Sequence, residues 1–220
     1  SGAINSDADN LKVDYYDDFA DYLTEVVKYL EEQEGINFRT LNPLNEPNTN
    51  YWGAGGRQEG CHFDIASQDQ IINEVYKKIQ EKGLDIEISA PDETNIGKTI
   101  ADFNGYKEET KEKIAQINGH TYGGTEAANF ANLKQIAIDY GKRFWMSEVG
   151  IGGNVGHSHE AIQPGTSLAN RIIDDMNLLK PEAWVYWQVV EDEANMLPEG
   201  ENSNWGMIHA DMDGINENYY

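Results

Sequence analysis

Two glutamates stand in matching surroundings. Glu46 closes the stretch Leu41-Asn42-Pro43-Leu44-Asn45-Glu46-Pro47-Asn48, and Glu148 lies near the end of Arg143-Phe144-Trp145-Met146-Ser147-Glu148-Val149-Gly150; each follows an apolar, β-prone run. Pro47 biases the residue before it toward extended backbone, so Glu46 is expected at a strand's exit with its side chain aimed beyond it. Parallel α/β enzymes present their reactive groups at strand exits. The plain rival for a single Asn-Glu-Pro is a solvated carboxylate in a Pro-rich turn, and the second carboxylate overturns it. A strand-helix-strand unit takes about 30 or more residues, so three such units fit between the two glutamates. Both side chains would then leave the same face of one sheet, equipped for general acid-base and nucleophilic work.

The rest of the composition narrows the ligand. The chain has 220 residues, 39 acidic against 16 basic, for a net charge of −23. Such an excess argues against nucleic acid and anionic membrane as partners, because both present negative phosphate. Five Trp, 12 Tyr and 21 Gly suit an aromatic-lined site for a polar, uncharged ligand such as a sugar. Cys61 is the one cysteine, so neither an internal disulfide nor a multi-cysteine zinc site can form; its expected role is a small buried side chain. His157, His159 and Glu160 could be taken for a metal set, but nothing else supplies a convincing further ligand, and no metal or other cofactor is expected. The glycines around Trp52 lack the ending of a phosphate loop, and no Gly-x-Ser-x-Gly elbow occurs. No apolar run approaches the roughly 20 residues of a membrane span, and the N-terminus lacks the basic and apolar regions of a signal peptide.

The elements that must position these residues follow from periodicity. Apolar positions from Tyr15 to Glu32 recur at three and four, predicting an amphipathic helix stopped by Gly35. Ile36 to Leu44 reads as the first strand. A long connection, Asn48 to Asp64, carries Trp52 as a possible sugar platform. Ser67 is expected to cap a helix over Gln68 to Lys82, and Asp85 to Ala90 is the second strand, with Asp92 and Glu93 at its exit. A helical segment spans Ile100 to Ile114. Ile117 to Tyr122 is the third strand, putting His120 and Tyr122 on one side because alternate strand residues share a face. A helix over Ala127 to Tyr140, a strand over Arg143 to Ser147, a helix over Leu168 to Leu179 and a fifth strand over Glu182 to Val190 complete the pattern, with Trp187 near the last exit. Five strands alternating with four helices predict an α/β fold of parallel crossover units in one domain, residues 1–220. Five strands do not close a barrel of eight, so the chain forms either an open sheet or part of a barrel.

The combined motifs resemble glycoside hydrolase family 30, whose catalytic domain is a TIM (β/α)8 barrel with an appended β-sandwich. The resemblance rests on the two glutamate stretches together with Gln58-Glu59-Gly60-Cys61 and Asn204-Trp205-Gly206-Met207-Ile208-His209, and it looks nearest to the endo-β-1,6-galactanase branch. It implies that strands four to eight are present and that the first three strand-helix units and the β-sandwich are missing. The expectation is thus a fragment of a secreted, extracellular enzyme, monomeric at full length and unstable if isolated.

By the same resemblance Glu46 is the acid/base and Glu148 the nucleophile of a retaining glycosidase, whose two carboxyl groups lie roughly 5–5.5 Å apart. Asn45 would hold the sugar's 2-hydroxyl and Tyr122 would donate to Glu148. Trp52, His120, Tyr122 and Trp187 are the further substrate-binding candidates, each with core packing as its rival. Asp92 and Glu93 read as solvated carboxylates or as hydroxyl binders. The implied substrate is a neutral polysaccharide, β-1,6-galactan first, with xylan and β-glucosides as alternatives; a non-catalytic carbohydrate-binding piece is the rival from another class.

Overall fold

The computed structural model describes residues 8, 9, 11–53, 60, 62–151, 162–192 and 205–210. Cys61, His157, His159 and Glu160 lie outside them. The chain forms two compact units, Ser1–Trp145 and Met146–Tyr220, divided within one strand.

In the first unit α1 (Tyr16–Glu34) buries Tyr16, Ala20, Thr24 and Val27. The helix is as expected but its inner face is not the apolar stripe read from the spacing: Val27 is buried and Phe19, Leu23 and Leu30 half-buried, whereas Tyr15, Tyr22 and Val26 are exposed. Thr24 is tolerated on that face because its hydroxyl donates to the Ala20 carbonyl at 2.8 Å. Gly35 ends the helix at φ 68°. The next strand, β1, is only Thr40–Leu41, not Ile36 to Leu44. Its early end has a cause: the Asn42 side-chain amide donates to the Leu44 carbonyl at 2.9 Å and to Asp92 Oδ2 at 2.5 Å, which turns the chain out of the sheet. Helix α2 (Ile65–Lys82) is capped by Asp64, whose carboxylate accepts the Ser67 N–H at 2.8 Å; Ser67, the expected cap, is a residue inside the first turn. Ile71, Ile72, Val75 and Ile79 are buried along its inner face, each contributing about 1.5–3 kcal/mol of apolar burial.

Strand β2 (Glu87–Asn95) runs past Pro91, where the sequence suggested a stop, through a cis Ala90–Pro91 bond. It pairs in parallel with β1 on one side and with β3 (Ile114–Gly123) on the other. Pro91 faces Asn118 and Glu93 faces Gly119, so Asp92 is an extra residue, a bulge. Bulges re-aim side chains, often beside active sites. Between β2 and β3 the expected single helix is two, α3 (Ile96–Gly105) and α4 (Glu108–Lys113). Tyr106 breaks them apart because its buried hydroxyl is held by Gln68 Oε1 at 2.5 Å. Helix α5 (Ala127–Asp139) matches expectation, and β4 (Arg143–Val149) extends far enough to include Glu148. Hydrogen-bonded order in this unit is β1-β2-β3-β4.

The second unit holds the outer end of β4 and, beside it, β5 (Ala183–Tyr186). Helix α6 (Ile162–Asp174) starts earlier than expected and passes into a π-helical turn over Asp175–Leu179. The buried Asp175 carboxylate accepts from Trp184 Nε1 at 2.9 Å, which fixes this turn to β5. The strand predicted over Glu182 to Val190 is broken in the middle by a change of partner. Trp187 N–H still donates to Val149 O at 2.9 Å, whereas the Gln188 carbonyl accepts from Met207 at 3.1 Å. Beyond the break, β6 (Val190–Asp192) pairs in parallel with β7 (Ile208–Ala210). The fold is therefore α/β, built on the repeating strand-helix unit of a (β/α)8 barrel. Among the described residues no helix is long and apolar enough to cross a membrane.

Candidate active site

Glu46 sits on the turn after β1, and its carboxyl group is buried at 6% exposure. Its backbone is not extended as Pro47 suggested, but left-handed at φ 48°. A non-glycine residue there costs of order 1–3 kcal/mol. Three bonds hold it: its N–H donates to Asp92 O at 2.9 Å, and its carbonyl accepts from Thr49 Oγ1 at 2.8 Å and Trp52 Nε1 at 3.0 Å. At about 0.5–1.5 kcal/mol net for each, they offset the strain. Asp92 is itself left-handed at φ 68°, so two strained residues support one another at adjacent strand exits.

The carboxyl group is contacted at both oxygens. His120 Nδ1 lies 3.0 Å from Oε1, and the Tyr51 hydroxyl donates to Oε2. The other ring nitrogen, Nε2, lies 3.3 Å from Asp92 Oδ1, and the ring is wholly buried. A neutral imidazole donates from one nitrogen and accepts at the other. The ring therefore couples the two carboxylates: a proton on Nε2 would face the Asp92 charge and leave a lone pair toward Glu46. Tyr122 is half-buried with its ring edge-on to His120 at 5.9 Å between centroids. The same face of β3 continues inward through Asn118 and Gln116, which receives Arg39 at 2.7 Å; the Arg39 guanidinium stacks over Trp145 at 4.7 Å.

The structure thus brings Glu46, His120 and Tyr122 together. Asn45 is exposed at the same turn. Trp52, expected as a sugar platform, is 4% exposed and lies beneath the turn with its indole N–H spent on the Glu46 carbonyl. Its neighbour Tyr51, 43% exposed, is the aromatic side chain this turn shows to solvent. Asp92 and Glu93 are not solvated: Asp92 faces His120 and Asn42, and Glu93 is wholly buried. Tyr51 and Asn42 are the residues missed by sequence reasoning, and no local signal marked their roles; Asp92 was placed at its strand exit, but its contacts with His120 and Asn42 were not foreseen.

In the second unit Glu148 is half-buried near the end of β4, and Trp187 is 46% exposed beyond β5. Gly150 lets these strand ends close up, since a Cβ there would lie 2.4 Å from Trp187 O and 2.6 Å from the Trp205 ring. Glu191, 2% exposed, accepts the backbone N–H groups of Trp205 and Gly206, and the Tyr186 hydroxyl donates to Trp205 O at 3.0 Å. Trp205 is therefore anchored through its backbone. A cavity of about 450 Å³ bounded by Tyr16, Asp69, Asn73 and Lys107 lies against α1 and α2 and includes none of these residues.

The sequence profile of O-glycosyl hydrolase family 30 matches residues 2–121, over half of the chain. The chain belongs to this family. An endo-beta-1,6-galactanase of Hypocrea rufa is 29% identical over 210 residues, covering 94% of this chain and 39% of that protein. An exo-beta-1,6-galactobiohydrolase of Bifidobacterium longum subsp. longum is 28% identical, covering 97% of this chain and 17% of that protein. The chain thus spans well under half the length of either relative. Among solved structures, a conserved exported protein from Bacteroides fragilis superposes with a TM-score of 0.71 at 21% identity, over 86% of this chain and 44% of that one. That likeness concerns the fold.

Proposed function

We propose that this chain is the acid/base- and nucleophile-bearing part of a retaining endo-glycosidase that cleaves β-1,6-linked galactan. Glu148 attacks the anomeric carbon while Glu46 protonates the departing oxygen; Glu46 then deprotonates the water that releases the sugar. The observation that carries this reading is the Glu46 carboxyl group, buried at a strand exit and set against His120, whose far nitrogen faces Asp92. On this reading Tyr122 would serve Glu148 as a donor, Asn45 would hold the 2-hydroxyl, and Trp187, 46% exposed, would offer its ring to a sugar face. Galactan is favoured because two relatives act, by name, on β-1,6-linked galactose polymers or their ends. An enzyme that cuts inside a polymer too large for uptake works outside the cell, as a monomer on this reading.

The test uses the full-length enzyme on β-1,6-galactan, xylan and β-glucan, with Glu46→Ala and Glu148→Ala beside it. The expected result is endo-cleavage of galactan, reduced by orders of magnitude in both variants, with polysaccharide binding retained. Normal hydrolysis by both variants overturns the mechanism. Preference for xylan or β-glucan overturns the substrate, and binding without any hydrolysis by the parent favours a carbohydrate-binding role.

A further inference from the structure

Next to Asp92 on β2, Glu93 lies against Asp102 of α3, and both side chains are wholly buried. Asn48, two residues beyond Glu46, joins them: its backbone N–H donates to Glu93 Oε1, and its side-chain amide donates to Asp102 Oδ1 at 2.7 Å. Asp102 Oδ2 accepts from Gln68 Nε2 at 3.0 Å. Gln68 cannot flip, because Tyr106 donates to its oxygen and its nitrogen also serves the Phe63 carbonyl. The donors are therefore unequal. Asp102 receives a neutral amide on each oxygen, whereas among the described residues no donor reaches Glu93 Oε2.

Charge is unbalanced as well. Facing the pair are Lys98 from α3 and Tyr106 from the link to α4, with Asp69 of α2 beyond Tyr106. Lys98 also donates to the Asn48 carbonyl. One cation does not neutralise two buried carboxylates, and an uncompensated buried charge is far more costly than a proton. We propose that Glu93 and Asp102 hold one proton between them, carried by Glu93, and act through Asn48 as positioning residues for Glu46. Burial first and the Asp102 charge second push Glu93 up to about 8, while the Asn48 N–H pulls the other way. Gly119 opposite Glu93 lets α3 approach: a Cβ there would lie 2.6 Å from Thr99 Oγ1.

The proton raises stability at low pH and the benefit fades as pH climbs from the ordinary Glu range of about 4.3 through about 8, because the native state holds the proton more tightly than the unfolded chain. Loss of the proton places two like charges beneath the turn that carries Glu46.

The positioning half rests on the acid/base role proposed for Glu46; the proton half does not. Both are tested in the full-length enzyme. Thermal melts without substrate from pH 5 to 9 should show Glu93→Gln gaining on the wild type by ~3 °C or more as pH rises. Asp102→Asn, which turns its amide donor toward the donor of either Asn48 or Gln68, should melt lower throughout. Parallel melting profiles for Glu93→Gln and wild type overturn the shared proton. Asn48→Ala should lower kcat about tenfold or more with KM little changed; if it does not fold, Asn48→Ser serves as the milder variant. Unchanged kcat overturns the positioning role. Should Glu46→Ala hydrolyse normally, the function falls while the melting series still decides the proton.

Discussion

His120 is buried between two carboxylates, with Nδ1 3.0 Å from Glu46 and Nε2 3.3 Å from Asp92. This makes the ring's tautomer answerable to Asp92. On the proposed mechanism the Asp92 charge beside Nε2 favours the ring proton there, which would leave the Nδ1 lone pair for Glu46.

Asp92→Asn should therefore damage acid catalysis selectively. An amide at this position can donate to Nε2, moving the ring proton to Nδ1 and supplying Glu46 with a donor where it needs an acceptor. Hydrolysis of galactan should fall about 10²–10⁴-fold, the usual range for general acid-base catalysis. Dinitrophenyl galactoside, whose leaving group needs no proton, should be attacked at nearly the wild-type rate in the glycosylation step. Equal losses on both substrates would show that Asp92 serves the fold alone.

Trp52 offers a second division between roles. Its indole N–H donates to the Glu46 carbonyl and helps hold the left-handed turn. Trp52→Leu should lower kcat and reduce stability by about 1–3 kcal/mol, read by denaturant melting. A sugar platform would instead show itself as a raised KM with kcat preserved.

Glu191 anchors Trp205 and Gly206 through their backbone N–H groups. Glu191→Ala leaves those donors without their acceptor and should destabilise the enzyme by about 1–3 kcal/mol. Glu191→Gln, which keeps an acceptor oxygen, should recover most of the loss. Failure of the glutamine to recover it would assign the effect to charge.

The long periodic elements were legible because their signals are local. The extent of α1 needed only 3.6-residue spacing and its closing Gly35, and α5 ended close to Gly141, whereas the face α1 buries is set by its neighbours rather than by the apolar spacing alone. The strand exits bearing Glu46 and Glu148 could be read because each apolar run stopped at a carboxylate. What could not be read depends on partners distant in sequence. The ends of β1 and β5 are set by Asn42 reaching Asp92 and by Gln188 exchanging bonds with the segment at Trp205 and Met207. The extended backbone that Pro47 led one to expect at Glu46 is overridden by the tertiary bonds that hold it left-handed. The burial of Trp52 and the engagement of Asp92 likewise follow from packing around the turn and a bulge that composition does not reveal.

The central claim is that Glu148 is the nucleophile and Glu46 the proton donor. In full-length Glu46→Ala given dinitrophenyl galactoside, glycosylation needs no acid but release of the sugar lacks its base, so a covalent intermediate should accumulate. Peptide mass spectrometry of the trapped protein should then find one hexose on the peptide containing Glu148 and none in Glu46→Ala/Glu148→Ala. A hexose on another residue, or rapid turnover by Glu46→Ala with no adduct, would contradict the account.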